Sequence, residues 1–351
     1  MIKLLSRFAF NTIKQPSVAV FNTKKYDVDY LTKVNTSLPE EKQVKLSFFA
    51  EQLNENSARL AHECDTVCCF VNDKVSAQVL RKLSSQGVNL VALRCAGFNN
   101  VDLKEADKLG INVVRVPAYS PEAVAEFSMA LLLSLNRKIH KAYNRTRDHN
   151  FALDGLVGSN LHGKTIGLIG LGKIGICFAK ICRGFGMNVV AYDPHRDPKL
   201  AESLGFTYVD ESDIFYQSDY ISLHCPLTPQ TRHIINDHSI TKMKENVMII
   251  NTGRGALIET KAVVNALKKK KIGGLAIDVY EQEEKLFFKD VSQEVLTDDV
   301  LARLLSFPNV IITGHQAFFT HEALMNISQT TLNNIYEFKI KGSCVNQVHP
   351  Q

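Results

Sequence analysis

The feature that most constrains the fold is a regular alternation of short apolar runs with segments of helical periodicity. Before residue 117, the runs SVAVFN, TVCCFV, LVALRC and INVVRV have the length and the β-branched content of buried strands. The segments KVSAQVLRKLSSQG and VDLKEADKLG lie between the last three runs and indicate helices that end on glycine. Such an alternation predicts β–α–β units, which build mostly parallel sheets with helices on their faces.

A second series of apolar runs predicts a second sheet. The runs KTIGLIG, NVVAYD, YISLHC, VMIIN, GLAIDV and NVIITG again alternate with helical segments. A long helical pattern joins the two series; it begins at Ser120, a favourable N-cap before Pro121, and extends to about Arg147. Six strands complete a doubly wound sheet, so the last helical segment, HEALMNISQTTLNNIYEFKIKG, is predicted to return to the first domain.

These patterns predict an α/β protein with two Rossmann-like or flavodoxin-like, doubly wound domains and a cleft between them. The length of 351 residues is comfortable for two hydrophobic cores. The predicted first domain is discontinuous and comprises 17–116 plus 318–351, whereas the second comprises 117–317.

Composition argues against several classes of protein. The 41 basic residues are interspersed with 36 acidic ones, so the net charge of +5 is a poor indication of nucleic-acid binding. No apolar stretch approaches the roughly 20 residues that span a membrane. The eight cysteines form no paired C-x-x-C sites, which indicates reduced thiols in an intracellular protein rather than zinc ligands or disulfides. We therefore expect no metal site, no nucleic-acid partner and no membrane span.

The amino terminus is open to two interpretations. MIKLLSRFAFNTIKQP contains Lys3, Arg7 and Lys14 but no acidic residue, a pattern typical of a mitochondrial targeting segment. The alternative is an ordinary extension before the first strand. Residues 1–16 therefore predict a mitochondrial matrix protein if they are a transit segment, and a cytoplasmic protein otherwise.

The segment GLIGLGKIG predicts a dinucleotide site. Its three glycines, Gly170, Gly172 and Gly175, follow a predicted strand and open the helix KIGICFAKICRGFG, which is where the G-x-G-x-x-G motif has a mechanism. The first glycine permits a tight turn, the second lets the backbone approach a pyrophosphate, and the third allows close helix–strand packing. The helix amino terminus then offers free N–H groups to the anion.

The cofactor is predicted to be NAD rather than NADP. Asp193 ends the next strand, 18 residues after Gly175. A carboxylate there can accept hydrogen bonds from both ribose hydroxyls and would repel a 2′-phosphate. His195 and Arg196 lie close by and weaken the second half of this argument.

Three further strand ends carry polar residues. In NTGRGALI, Arg254 stands between two glycines; this is either a tight turn with a basic tip or a place where the backbone approaches a ligand while the arginine binds an anion. Glu283 follows the strand GLAIDV, and His315 follows NVIITG. Ligands of open α/β sheets bind at the carboxyl ends of the strands, so we expect Arg254, Glu283 and His315 to converge.

Together the motifs closely resemble those of the D-isomer-specific 2-hydroxyacid dehydrogenases, and within them the fermentative D-lactate dehydrogenases. The resemblance covers the chain from about residue 17 onward. It rests on RCAGFNNVD, VPAYSPEAVAE, GLGKIG, LHCPLTP, NTGRGALI, DVYEQEEKLFF and TGHQAFFT, in that order. It implies a homodimer that uses NADH to reduce pyruvate to D-lactate, with 117–317 as the NAD-binding domain and the other domain binding the 2-keto or 2-hydroxy acid.

The resemblance also assigns residues. Arg254, Glu283 and His315 match the catalytic arginine, glutamate and histidine. The chemistry agrees, because an arginine fork can anchor a carboxylate, histidine is a natural proton donor near neutral pH, and a glutamate can orient the imidazole and favour its charged form. The positions matching cofactor contacts, beside the three glycines and Asp193, are Lys173, Ile174, Cys225, Pro226, Thr231, Thr252, Gly253, Arg254 and Asp278. Gly253 stands where many relatives have serine.

The remaining predictions concern the substrate pocket. RCAGFNN lies at a strand end, where the amides of Ala96 and Gly97 could bind the substrate carboxylate opposite Arg254. Tyr119 and Phe318 match positions that enclose a small apolar side chain in lactate-type members, although both could be ordinary packing aromatics. Cys225 is interpreted as a neighbour of the adenine or ribose rather than as a nucleophile.

Two alternative functions remain. One is a different enzyme of the same family, such as a hydroxypyruvate or glyoxylate reductase. The other is a transcriptional corepressor of the C-terminal-binding-protein type, which shares this fold and retains residues of catalytic type.

Overall fold

A computed structural model describes residues 15–283 and 286–350. The proposed targeting segment therefore lies almost entirely outside the described residues. In chain order the strands are β1 (Ser17–Val20), β2 (Lys45–Phe48), β3 (Thr66–Cys69), β4 (Leu90–Leu93), β5 (Asn112–Val114), β6 (Thr165–Ile169), β7 (Asn188–Tyr192), β8 (Thr207–Tyr208), β9 (Tyr220–Leu223), β10 (Val247–Asn251), β11 (Ile272–Ile277), β12 (Val310–Ile312) and β13 (Gln347–Val348). The α-helices are α1 (Lys25–Ser37), α2 (Ala77–Ser85), α3 (Leu103–Lys108), α4 (Pro121–Arg137), α5 (Ile139–Arg147), α6 (Lys173–Gly184), α7 (Pro198–Leu204), α8 (Glu211–Gln217), α9 (Asp237–Lys242), α10 (Thr260–Lys268), α11 (Asp299–Leu305) and α12 (His321–Lys341).

The first compact unit comprises the described residues up to Tyr119 and those from Thr320 onward. Its strands form one sheet in the order β13-β5-β4-β3-β1-β2, in which only the short β13 runs antiparallel to its neighbour. Helix α12 belongs to this unit, because Leu332 and Ile335 pack with Val20, Ala92 and Val114 in one apolar cluster. The last helix thus completes the core of a domain whose first five strands precede it by more than 200 residues.

The second compact unit, Ser120–Phe319, contains a fully parallel sheet in the order β12-β11-β10-β9-β6-β7-β8. After β6, the chain adds β7 and β8 on one side of this strand and then β9 to β12 on its other side, so the strand order reverses between β6 and β9. In a doubly wound sheet, this reversal opens a crevice beyond the carboxyl ends of the two strands, where a ligand can bind.

Both faces of the second sheet are buried, which explains the continuous apolar runs in the sequence. Ile221 and Leu223 of β9 belong to an apolar cluster that includes residues of α8 to α11. Tyr220 of the same strand belongs instead to the cluster that contains Phe178 of α6 and Leu132 of α4. Alternate residues of a strand point to opposite faces of the sheet, so each apolar run contributes side chains to the apolar clusters on both faces.

The structure corrects several sequence-based expectations. The helix predicted from Ser120 to about Arg147 is two helices, because Lys138 has a left-handed backbone (φ 53°) and ends α4 without any glycine or proline as a signal. Strands β2, β8 and β13 were not predicted. β8 and β13 are two residues long, and β2 (KLSF) is a partly exposed edge strand whose sequence carries no long apolar run.

Within the described ranges, no helix combines the length and the apolar composition needed to cross a lipid bilayer.

Candidate active site

The glycine-rich turn after β6 has the geometry that the sequence predicted. Gly170 has a positive φ of 98°, and a Cβ there would lie 2.5 Å from the amide nitrogen of Cys225, so no other residue fits. A Cβ on Gly175 would lie 2.2 Å from the Gly170 carbonyl oxygen, which shows how closely α6 packs on the turn. Gly172, in contrast, faces open space. The turn therefore leaves room for a ligand at the one glycine where a pyrophosphate was predicted to approach.

Helix α6 begins at Lys173 and Ile174 and presents an uncapped amino terminus. Its N-cap is Gly172, which has no side chain to bind the first N–H groups of the helix. Free N–H groups and the positive end of the helix dipole suit a phosphate. The residues at this position therefore fit a dinucleotide, whose pyrophosphate they would hold.

Asp193 directly follows β7 and lies beside the glycine-rich turn. One carboxylate oxygen accepts a hydrogen bond from the Leu171 amide (2.7 Å) and the other from the His195 amide (2.8 Å). These bonds fix the carboxylate against the glycine-rich turn. Since a carboxylate has about four lone-pair sites, it can still accept from ribose hydroxyls.

The loop after β9 lies beside the glycine-rich turn, as the contact between Gly170 and Cys225 shows. Burial raises the pKa of the Cys225 thiol to about 12, which favours the thiol over the nucleophilic thiolate. The Thr231 hydroxyl donates to the Pro226 carbonyl oxygen (2.7 Å) and accepts from the Thr228 amide (2.8 Å). Side-chain hydrogen bonds thus define the shape of this loop.

Arg254 occupies a turn that the buried Asn251 holds. The Asn251 side chain accepts from the Gly253 amide (3.0 Å) and donates to the Arg254 carbonyl oxygen (2.9 Å). Thr252 is buried, and its hydroxyl hydrogen-bonds to that of Ser128 (2.8 Å). Sequence reasoning missed Asn251, which is the last residue of β10 and looks like part of an ordinary strand.

The two glycines beside Arg254 have different surroundings. A Cβ on Gly255 would lie 2.1 Å from the carbonyl carbon of Tyr280, so this glycine lets two protein segments approach each other, not a ligand. A Cβ on Gly253 would make only close van der Waals contacts, the nearest at 3.4 Å. Gly255 therefore seats Arg254 against the segment that leads to Glu283, and the approach of a ligand to this turn stays a prediction.

Glu283 and His315 form a direct pair. The Nδ1 atom of His315 lies 2.9 Å from Oε1 of Glu283, and both side chains are largely shielded from solvent. The other carboxylate oxygen of Glu283 accepts from the Tyr280 amide (2.9 Å), which fixes the orientation of the carboxylate. With Nδ1 used in this way, Nε2 is the nitrogen that His315 can present to a substrate.

Asp278 organises the loop that carries His315. Its fully buried carboxylate accepts from the Thr313 hydroxyl (2.5 Å) and from the amides of Gln316 (2.9 Å) and Ala317 (2.8 Å), and its carbonyl oxygen accepts from the His315 amide (2.8 Å). Burial raises the pKa of Asp278, although the three hydrogen bonds favour the carboxylate. The sequence predicted a cofactor contact here and gave no sign of this supporting role.

The loop RCAGFNN is part of the first unit and follows β4. Ala96 and Gly97 are partly exposed, and among the described residues neither amide donates a hydrogen bond to another protein group. Tyr119 lies in the first unit, where its carbonyl oxygen accepts from the Asn326 side chain (2.7 Å). Phe318 lies in the second unit, where it is buried edge-on against Phe319 with ring centroids 5.8 Å apart.

Arg254, Glu283 and His315 follow β10, β11 and β12, which are neighbours in the second sheet. Parallel strands end at the same edge, so the three functional groups that the sequence singled out share one edge of one sheet. The arrangement can bind an anion, hold an oriented imidazole and accommodate a dinucleotide at the adjacent glycine-rich turn.

Comparisons with known proteins identify the family. Residues 129–317 match the family described as the D-isomer specific 2-hydroxyacid dehydrogenase, NAD binding domain. The chain is 54% identical to a 2-hydroxyacid dehydrogenase homolog of Haemophilus influenzae over 95% of its length and 99% of that protein's, and 52% identical to the D-lactate dehydrogenase of Escherichia coli, with coverages of 94% and 99%. Its fold is similar to that of the pyruvate reductase of Chlamydomonas reinhardtii, with a TM-score of 0.87, 41% identity and coverages of 94% and 98%. The chain therefore belongs to the D-isomer-specific 2-hydroxyacid dehydrogenases, a family of NAD-dependent oxidoreductases.

Proposed function

We propose that the protein is a D-lactate dehydrogenase, which catalyses the reversible reaction of pyruvate, NADH and a proton to D-lactate and NAD⁺. The observation that carries the proposal is the Glu283–His315 pair, which leaves one imidazole nitrogen available as a proton donor at the sheet edge that also holds Arg254. The names of the similar proteins from Escherichia coli and Chlamydomonas reinhardtii support the choice of pyruvate.

Arg254 is assigned as the anchor of the substrate carboxylate. A guanidinium group presents two parallel N–H donors to a carboxylate and so fixes both its position and its plane. In the first unit, the amides of Ala96 and Gly97, which donate to no protein group among the described residues, are assigned as donors to a carboxylate. A keto acid held at its carboxylate has its carbonyl carbon in a fixed place, which is the main requirement for hydride transfer.

His315 is assigned as the acid in pyruvate reduction and as the base in lactate oxidation. NADH, when bound, would supply the hydride for the carbonyl carbon, and Nε2 of His315 is placed to give its proton to the carbonyl oxygen. Glu283 holds the ring through its Nδ1 atom, which leaves Nε2 for the substrate. His315→Gln should slow both directions by roughly 10²–10⁴-fold, the usual contribution of a positioned acid or base.

Tyr119 and Phe318 are assigned as the side chains that enclose the methyl group of pyruvate. The test is a panel of 2-keto acids with NADH, followed by absorbance, together with chiral analysis of the product. We expect pyruvate to have a higher kcat/KM than phenylpyruvate. A tenfold preference for bulky aromatic keto acids, or for hydroxypyruvate or glyoxylate, would mean that the protein has a different activity within its family. The absence of turnover with any keto acid would favour the corepressor function.

The assembly is assigned as a homodimer that forms through the second unit. Helix α5 and the segment after it expose a set of large apolar side chains, namely Ile139, Tyr143, Phe151, Leu153 and Val157. Exposed apolar surface of this kind marks an interaction site. Light scattering should give twice the mass of the chain, and Tyr143→Glu should shift the protein toward the monomer.

The compartment follows from residues 1–16. They place the protein in the mitochondrial matrix if they direct import and in the cytoplasm if they do not. A fusion of residues 1–30 to a fluorescent reporter in a eukaryotic cell separates the two outcomes, since import would give a mitochondrial signal and a cleaved amino terminus.

A further inference from the structure

We propose that Arg115 is a positioning residue, which aims the amides of Ala96 and Gly97 at the carboxylate of the substrate. The inference deepens the proposed function and rests on it, because it concerns how this chain builds the carboxylate site of its first unit. Arg115 lies just after β5, one strand away from the loop that follows β4.

The carbonyl oxygens of the loop determine where its N–H groups point. The Cys95 oxygen accepts from the Val116 amide (3.2 Å), and the Ala96 oxygen accepts from Nη1 of Arg115 (2.9 Å). In a planar trans peptide, the C=O and N–H bonds point in opposite directions. The N–H groups of Ala96 and Gly97 therefore both point away from the Arg115–Val116 segment, and two donors on one side of a loop are suited to a carboxylate.

Arg115 also affects the strength of the second donor. Its hydrogen bond to the Ala96 oxygen carries a formal charge, and charged donors bond more strongly than neutral ones. Polarisation of the peptide group makes the N–H of Gly97 a better donor, as in chains of cooperative hydrogen bonds. The guanidinium group is stacked on the Phe98 ring, 5.0 Å from its centroid, so the same side chain fixes two points of the loop.

The carboxyl-terminal segment holds Arg115 in place. The Arg115 amide donates to the Asn346 carbonyl oxygen (3.1 Å), and the Arg115 carbonyl oxygen accepts from the side chain of Asn334 in α12 (2.8 Å). The Asn334 oxygen in turn accepts from the Asn346 side chain (2.8 Å). Together the two asparagines fix the backbone from which the arginine reaches the loop.

The test compares Arg115→Met with Arg115→Lys in the full-length protein. Methionine keeps an apolar stem but loses the donor, whereas lysine keeps a charge and one donor for the Ala96 oxygen. A carboxylate contact is made in the ground state and in the transition state alike, so its loss should appear mainly in KM. We expect Arg115→Met to raise KM for pyruvate about tenfold, equivalent to about 1.4 kcal/mol, with kcat and KM for NADH within twofold of the parent.

Lysine should recover most of the loss, and the Kd of the unreactive analogue oxamate, measured with NADH bound, should follow KM. Lys339→Met is the matched control, since Lys339 is a partly buried cation of the same unit that pairs with Asp65 (3.1 Å) instead of the loop. Asn334→Ala should raise KM for pyruvate in the same direction by a smaller factor.

Two results would overturn the role of Arg115. One is an unchanged KM for pyruvate in an active Arg115→Met protein; the other is a change in which kcat, both KM values and the melting temperature deteriorate together and lysine restores nothing. If the parent itself reduces no 2-keto acid, the proposed function fails and the inference fails with it.

Discussion

Replacing His224 with glutamine should remove a pH-dependent part of the protein's stability. His224 follows β9 beside the glycine-rich turn; its ring lies 4.9 Å from that of the buried Phe178, and Nε2 hydrogen-bonds to the Ser222 hydroxyl (2.9 Å). The Nδ1 atom is shielded from solvent and has no partner among the described residues. Burial therefore lowers the pKa of His224 from 6.5 to about 3.

The magnitude follows from proton linkage. The unfolded chain binds a proton at His224 below pH 6.5, whereas the folded protein does not bind it until about pH 3. The contribution of this histidine is therefore complete above pH 6.5 and is lost as the pH falls, at about 1.36 kcal/mol per pH unit. Between pH 7.5 and pH 5 the loss is about 2 kcal/mol, and this figure requires only that the folded pKa lie below 5.

The assay is urea unfolding of the parent and the variants at several pH values between 5 and 7.5. The other titrating groups are common to all of these proteins, so their effects cancel when the free energies of unfolding are compared. Glutamine can still hydrogen-bond to Ser222, so His224→Gln should lower the free energy of unfolding at pH 7.5 but lose less of it on acidification. His238→Gln, at an exposed histidine of α9, is the control and should parallel the parent. Parallel curves for the parent and His224→Gln would show that the ring takes up a proton in the folded state as readily as in the unfolded chain.

Three further changes test the active site. Asp193→Ala should narrow the preference for NADH over NADPH, measured as the ratio of the two kcat/KM values, and a parent that uses NADPH better would contradict the role of this carboxylate. Glu283→Gln keeps a hydrogen-bonding side chain beside Nδ1 of His315 but removes its charge, so kcat/KM for pyruvate reduction should fall; an unchanged value would limit Glu283 to packing. Gly255→Ala places a Cβ 2.1 Å from the Tyr280 carbonyl carbon and should displace the Arg254 turn, with a loss in kcat/KM of at least tenfold, whereas Gly184→Ala, which meets nothing within 4 Å, should be neutral.

The parts of the site that could be predicted from sequence are those made by neighbours along the chain. Gly170, Gly172 and Gly175 belong to one strand–turn–helix unit, and the order of apolar and polar residues around them is enough to indicate their use. Asp193 ends the next predicted strand, which must pair in parallel with the strand before the glycines, so its place near them could also be predicted. A local pattern with a known mechanism therefore predicts a local structure.

The parts that could not be predicted depend on contacts between distant segments. Gly255 is required by the backbone of Tyr280, and Asp278 bonds to residues more than 30 positions further along. The break between α4 and α5 occurs at Lys138, where the sequence has no glycine or proline to indicate it. Lysine enters the left-handed region only when the surrounding structure imposes that conformation. In each case the side chain alone is compatible with an ordinary strand, turn or helix.

The backbone around His315 shows why an active site depends on such distant contacts. His315 has a positive φ of 57°, a conformation that costs a residue other than glycine of the order of 1 kcal/mol or more. The loop keeps this conformation because Asp278 binds it on both sides, through the His315 amide and through the amides of the two residues that follow. Glu283 then fixes the ring by its Nδ1 atom. An imidazole on a relaxed loop could rotate away from a substrate, whereas His315, whose loop is held by Asp278 and whose ring is held by the Glu283 carboxylate, presents a single nitrogen in a single direction.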